Sequence, residues 1–273
     1  MSSPSMNQPD RSTMPRALLS ALCLFLFSVS AAQAQQADPG PVLLGAGLWS
    51  RPAYDGDAGA QALAPIPNIR YYGPLAFART TMGVLEGGAR VPLAEGLAVG
   101  AQLAWEGGRS REESEFLRTH NLEDLPVSLS WGVHAELDRK IGPMPLTVLL
   151  RWRQDVDAAR GAQADLRLVA GVFSGGGLNA GLFAQATWAD ATATRYYYGL
   201  SAAQAAASGL SAYAPQGGVL FQAGGLLWSY DLAPQWVLLG SFEARRLRGD
   251  ALASPLVQTS VSRYASLSLA YRF

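Results

Sequence analysis

Across 273 residues, 21 basic side chains balance 21 acidic ones and the formal charge is zero, so there is no electrostatic case for nucleic acid as a partner. Nearly half of the residues are apolar (49%) and only 15% are charged; yet beyond the N-terminal segment no run stays apolar for the roughly 18 residues that a membrane helix needs. The single cysteine, Cys23, leaves no disulfide framework, thiolate metal site or thiol nucleophile to build.

At the N-terminus, Arg11 and Arg16 precede an apolar run from Ala17 to Ser30, followed by the small-x-small pattern Ala32-Gln33-Ala34. That is the layout of a secretory signal, and the run is too short to cross a bilayer as a helix. The expectation is a signal peptide over residues 1–34 and a single mature domain over 35–273, with Met14 as an alternative start. Removing Arg11, Arg16 and Asp10 leaves 19 basic against 20 acidic residues. An exported, apolar chain without spanning helices is a transmembrane β-barrel or a periplasmic β-sandwich.

Strand periodicity favours the barrel. Pro41 to Tyr54 reads as a strand, Asp55 to Ala64 as a loop, and Pro65 to Tyr72 as a returning strand with a turn near Gly73-Pro74. Leu75 to Arg90 as one strand would give eleven and leave the termini on opposite sides; splitting it near Thr81 gives twelve. If the proline-interrupted segment Ala64 to Tyr72 stays out of the wall, ten remain. Leu97 to Glu106 alternates, with Leu97, Val99, Ala101, Leu103 and Trp105 on one face. Leu125 to Asp138 sets Leu125, Val127, Leu129, Trp131 and Val133 against Ser128, Ser130, Gly132, His134 and Glu136. Asn179 to Trp188 and Trp236 to Arg245 repeat the pattern. Such length exceeds an ordinary globular strand and suits a tilted membrane strand.

Bacterial barrels have short periplasmic turns and longer outer loops. Val91 to Gly96, Asp138 to Pro143, Ser174 to Gly177 and Asp231 to Gln235 are the short connections. Gly107 to Asp124, Val156 to Gln163, Ala189 to Gly217 and Leu247 to Val261 are the long ones. The fold expected is therefore all-β, an antiparallel up-and-down transmembrane barrel. Within the longest loop, Ser201 to Ser208 has the composition for two helical turns, as a lid or strand extension.

Three groups of residues are candidates for function. Arg151, Arg153, Asp155, Asp165, Arg167, Glu243, Arg245 and Arg272 fall on inward positions with both signs, so the lumen should be closed by paired charges. Leu267, Leu269, Tyr271 and Phe273 form a stripe ending in a terminal phenylalanine, the signal read by barrel-assembly machinery. Asp138, Arg139 and Lys140 are the most charged of the short turns and the surface offered to a periplasmic partner. His134 is placed in the lumen near the periplasmic end of its strand, and His120 in a charged loop. Neither lies in a His-x-Ser arrangement, no metal-ligand spacing occurs, and Gly175-Gly176-Gly177 joins two strands rather than cradling phosphate. Neither catalysis nor a cofactor is expected.

Several segments in order resemble the MltA-interacting protein (MipA/OmpV) family: Gly45-Ala46-Gly47, Arg51-Pro52-Ala53-Tyr54-Asp55-Gly56, Pro65-Ile66-Pro67-Asn68-Ile69 and Gly107-Gly108-Arg109. Tyr198-Gly199-Leu200, Ser208 to Tyr213, Gly249-Asp250-Ala251, Ser254 to Val257 and Tyr271-Arg272-Phe273 continue it. The resemblance implies a non-catalytic outer-membrane scaffold bringing together a murein-degrading lytic transglycosylase and a bifunctional murein synthase. A passive pore or a surface adhesion protein remains the alternative, because other family members are described as osmotically regulated or surface-exposed. No catalytic residue carries over from the resemblance. The lone lysine, Lys140, departs from the family pattern and reflects genomic composition.

Overall fold

A strand with alternating side chains can satisfy its backbone in lipid only if its sheet closes on itself. The computed structural model, which describes residues 42–81 and 83–273, has that closure. Its strands are β1 (Leu43–Arg51), β2 (Ala62–Tyr72), β3 (Ala76–Thr81), β4 (Val84–Ala94), β5 (Leu97–Glu106) and β6 (Ser128–Ile141). They continue with β7 (Met144–Asp155), β8 (Ala162–Gly175), β9 (Leu178–Ala189), β10 (Gly218–Asp231), β11 (Trp236–Leu247) and β12 (Val261–Arg272). Each is antiparallel to its neighbours in sequence, and β1 closes the circle on β12 from Leu43↔Arg272 to Ser50↔Ala265. Backbones approach closely at this seam. A Cβ at Gly45 or Gly47 would run into the carbonyls of Leu269 and Leu267. The export signal expected at 1–34, and residues 35–41 of the expected mature domain, lie outside the described residues.

The twelve strands include the proline-interrupted segment, and the reason is local. β2 pairs with β1 along nine residues but with β3 only at Arg70, Tyr71 and Tyr72. Ile69 donates its N–H to Thr80 of β3, so the odd-numbered residues of β2 point their N–H groups to the β3 side. Pro65 and Pro67, which have none to give, fall where β3 does not reach.

Polarity is inverted relative to a soluble protein. Leu103, Trp131, Val133, Leu150, Leu182, Phe242 and Leu267 are exposed on the outer surface, while Gln102, Ser130, His134, Glu136, Arg151 and Asp165 are buried within. Trp105, Trp131, Trp152 and Trp188 lie near the ends of their strands where the long loops emerge, and Trp236, Tyr230 and Tyr271 near the other. Those two bands match the interfacial girdles of an outer-membrane barrel. Among the described residues no helix is long and apolar enough to cross a membrane.

Asp138, Arg139 and Lys140 do not form a turn: they are the last charged residues of β6, which runs on to Ile141. Gly142, at φ +60°, and Pro143 make the whole connection to β7, because glycine accepts the left-handed backbone that a two-residue hairpin demands. At its other end β6 begins at Ser128 instead of Leu125. Leu125 is taken by an isolated bridge to Arg109, and Pro126 cannot donate to a ladder. His134 consequently sits midway along β6 and not near its periplasmic end.

The outer loops carry short helices: α1 (Glu115–Thr119), α2 (Ala191–Tyr198), α3 (Ala202–Ser208) and α4 (Gly249–Leu252). The segment expected to make two helical turns is α3. Ser201 caps it through a reciprocal box with Gln204, which satisfies two N–H groups at the helix start.

Candidate functional site

Charges that face a barrel lumen leave water and are costly unless each finds a partner. In β3 to β8 they find one another. Glu86 of β4 accepts from Arg79 of β3 at 2.5 Å and from Arg151 of β7 at 2.6 Å. Gln102 adds a bond at 2.9 Å. Arg79 reaches on to Glu136 of β6 at 2.5 Å, and Arg151 to Asp165 of β8 at 2.9 Å. Arg153 joins Asp165 at 3.0 Å and also Glu106 of β5. Thr187 completes the shell of Asp165 with a bond of 2.7 Å. The pairs Arg79–Glu136 and Arg151–Glu86 link strands three apart, so the network spans the lumen instead of following one wall. Toward the outer mouth, the space left beside Arg153, Asp155 and Tyr197 is a cavity of about 10 Å³, which holds one water at most.

A second cluster gathers around Arg245 of β11. Its guanidinium pairs with Asp55 at 2.8 Å and with Glu243 at 3.0 Å, and it lies over the rings of Phe221 and Tyr264. Tyr264 donates to Asp55 at 2.6 Å. Arg167 belongs to neither cluster. It stacks on Phe183 at 4.3 Å and donates to Gln185 at 3.3 Å without a carboxylate contact.

Of the eight charges expected inside, Arg151, Arg153 and Asp165 share one network, and Glu243 and Arg245 another. Asp155 faces the lumen but accepts from Ser128 and from the Asp157 backbone rather than from arginine. Arg272 does not join them: at the end of β12 it pairs with Asp231 at the periplasmic rim. Sequence reasoning missed Arg79 and Glu86, the node of the larger network, and Asp55. Arg79 and Glu86 lie opposite each other across the β3–β4 hairpin, on either side of the point where the ambiguous Leu75 to Arg90 segment had to be divided; a two-residue turn after Thr81, pairing it with Val84, puts both on one face, whereas a split without that turn does not. No signal marks Asp55, a loop residue folded inward.

Above the network the outer loops close over the mouth. Leu117 and Leu122 from the β5–β6 loop, Leu200 from the β9–β10 loop and Leu256 from the β11–β12 loop form one buried cluster, against which Tyr54, Phe116, Leu210 and Tyr213 pack. Hydrogen bonds tie the same loops together: Tyr54 donates to the Leu256 carbonyl at 2.8 Å, Ser114 to Asp57 at 3.0 Å, Ser254 to the Tyr198 carbonyl at 2.7 Å, and Arg109 to the Tyr197 carbonyl at 3.1 Å. Burial, with Asp57 adding to it, holds the Tyr54 phenol well above its ordinary value, so it stays a donor at any physiological pH.

Among the described residues the two histidines contact aromatic rings and a backbone carbonyl. His134 meets Phe77 edge to face at 5.0 Å, and His120 donates its Nδ1–H to the Phe116 carbonyl at 2.9 Å with its ring tilted against that of Phe116. Among the described residues no group of three potential metal ligands stands together. At the periplasmic end, Asp138 accepts from Thr147 at 2.6 Å and Arg139 donates to the Glu95 and Asp138 carbonyls. Lys140 is exposed. Along β12, Leu267, Leu269 and Phe273 are exposed, Tyr271 partly so, and Tyr271 meets both Trp236 and Phe273 edge to face.

The family model of the MltA-interacting protein MipA matches residues 44–273, the whole barrel. The chain belongs to this family. None of the curated proteins matches it. Among solved structures it is similar to an outer-membrane channel from Pseudomonas putida, at 11% identity over 90% of this chain and 100% of that one with a TM-score of 0.46. It is similar also to a bacterial polysaccharide outer-membrane secretin, at 8% identity over 85% and 98% with a TM-score of 0.44. The translocator domain of the autotransporter NalP from Neisseria meningitidis is a third, at 12% identity over 94% and 96% with a TM-score of 0.40. Membership of the MipA family and the closed barrel place the protein in the outer membrane.

Proposed function

We propose that the protein is a closed scaffold of the outer membrane, holding a murein-degrading lytic transglycosylase and a bifunctional murein synthase at its periplasmic face. The observation that carries the reading is the filled lumen. Guanidinium–carboxylate pairs cross the interior from β3 to β6 and from β4 to β7 under a cap of interlocked loops, which leaves the rims, not the interior, to do the work. The family is described by its interaction with a transglycosylase, and peptidoglycan lies on the periplasmic side.

On that side the available surface is the strand ends and turns of two to four residues. Asp138 and Arg139 are engaged with the barrel itself, so of these three Lys140 is the one left to meet a partner. A stable interface needs about 800 Å² from each side, which requires several turns and the rim between them. The reading takes residues 1–34 as a cleaved export signal, so N-terminal sequencing of the mature protein should begin at Gln35. A photo-crosslinker placed at Lys140, and separately at Gln204 in α3, tests the whole. Capture of murein enzymes from Lys140 alone is the expected result; capture only from Gln204, by surface or extracellular partners, would replace the scaffold with an adhesion role.

A further inference from the structure

The outer rim steps down where β12 meets β1. Their pairing stops at Ser50↔Ala265, while β12 continues to Val261 with only β11 beside it. Loop residues Asp57, Ala58, Gly59 and Gln61 border this step, and together with Ser50, Phe242, Thr259 and Arg263, among others, they line a groove of about 430 Å³.

Three properties of the groove point to one kind of occupant. The outward wall that the groove borders is apolar: Phe242, which lines it, is 49% exposed, and exposed Leu63, Leu48 and Leu267 stand on the same face of the neighbouring strands, in the rows set by Phe242↔Ala265, Ser50↔Leu63 and Leu48↔Leu267. Beside it stand two exposed arginines on the lipid-facing side of the sheet, Arg246 and Arg263, diagonal to each other across β11 and β12. Neither enters an ion pair or side-chain hydrogen bond among the described residues. Like charges on diagonal positions repel, so an anion between them relieves a strain the protein alone does not. Lining the groove as well is Asp57, 4% exposed. One of its carboxylate oxygens accepts from Ser114 and the other, buried, has no partner. A buried acceptor left open is costly, and a hydroxyl or amide donor would satisfy it.

Apolar chains, a doubly anionic head and sugar-type donors occur together in the phosphorylated glycolipid of the outer leaflet, and the groove opens at that height of the wall. We propose that the β12–β1 step is a binding site for this lipid, with its phosphates on Arg246 and Arg263, a headgroup hydroxyl or amide on Asp57, and its acyl chains along Phe242, Leu48 and Leu267. The site is independent of the periplasmic rim and of the scaffold reading.

Native mass spectrometry of the purified barrel in nonionic detergent tests it, titrating with diphosphorylated lipid A, with its dephosphorylated form carrying the same acyl chains, and with inorganic phosphate. The expected result is saturable binding of one diphosphorylated molecule, weakened about tenfold or more by removing the phosphates or by the double variant Arg246→Ala/Arg263→Ala, as the loss of charge-assisted bonds requires. Asp57→Asn, which keeps the shape but puts an amide where the open acceptor stands, should weaken binding further in the double variant. Heat-dependent gel mobility confirms that each variant still forms the barrel. Equal binding of both lipid forms, unchanged binding by the double variant, or competition by inorganic phosphate alone would each overturn the proposal.

Discussion

Replacing Glu86 with alanine removes the node of the lumen network and should lower barrel stability by about 3–5 kcal/mol, the usual cost of deleting one partner of a buried ion pair. Glu86 is 2% exposed and its carboxylate faces two guanidinium groups at 2.5 and 2.6 Å. At an effective dielectric of about 20, each such attraction amounts to about 4 kcal/mol. Both are lost together, but Arg79 retains Glu136 and Arg151 retains Asp165, which brings the net effect back to the range of a single broken pair. Glu86→Gln keeps the volume and one acceptor oxygen and should cost less. The measurement is urea unfolding of refolded barrel in detergent micelles, followed by tryptophan fluorescence and gel mobility. Arg51→Ala is the comparison, since the Arg51–Glu113 pair lies at the solvent-facing loops with 21% and 34% of the two side chains exposed and should contribute less than about 1 kcal/mol. If Glu86→Ala were as mild as Arg51→Ala, the lumen charges would be screened by water and the account of a dry, cross-braced interior would be wrong.

In planar bilayers the wild-type barrel should show no large steady conductance, and deleting residues 190–217 should not create one, because the ion pairs below the cap remain; the deletion combined with Arg79→Ala and Arg151→Ala should. A steadily conducting wild type would favour the passive-pore reading. Leu117→Ala, at a fully buried position of the cap, should cost the cap about 2–5 kcal/mol, visible as faster cleavage of the outer loops by protease added to intact cells while the barrel's gel mobility is unchanged. Phe273→Ser should reduce the fraction assembled in vivo far more than it lowers the unfolding midpoint of refolded protein, since Phe273 is left 72% exposed by the rest of the protein and its ring contact within the fold is with Tyr271; a lowered midpoint with normal assembly would assign the residue to stability instead.

The wall was legible because lipid and lumen impose opposite polarity on alternate residues. Leu97 to Glu106 is read with its ends in place, since alternation there is uninterrupted from turn to loop. β6 is displaced by three residues at each end, where Pro126, the Arg109 bridge and the Gly142-Pro143 turn overrule a pattern that continues past them in sequence. Inward charge was legible from the same parity, but parity says nothing of depth, so Arg272 resembled a lumen residue and proved to be a rim residue. The cap was not legible. Leu117, Leu200 and Leu256 come from three loops with no common period, and only the closing of the barrel brings them together.

That cap also determines what the cell presents to its surroundings. Leu117, Leu200 and Leu256 share one core, and Tyr54, Asp57, Ser114 and Ser254 tie their loops together, so antibodies and phages meet a single rigid tile rather than a set of independent loops. A substitution that changes one loop's backbone must be tolerated by the others. Escape from recognition at this surface therefore calls for coordinated changes in several loops at once, and exposed side chains such as those of α3, which face away from the shared core, are the ones free to vary singly.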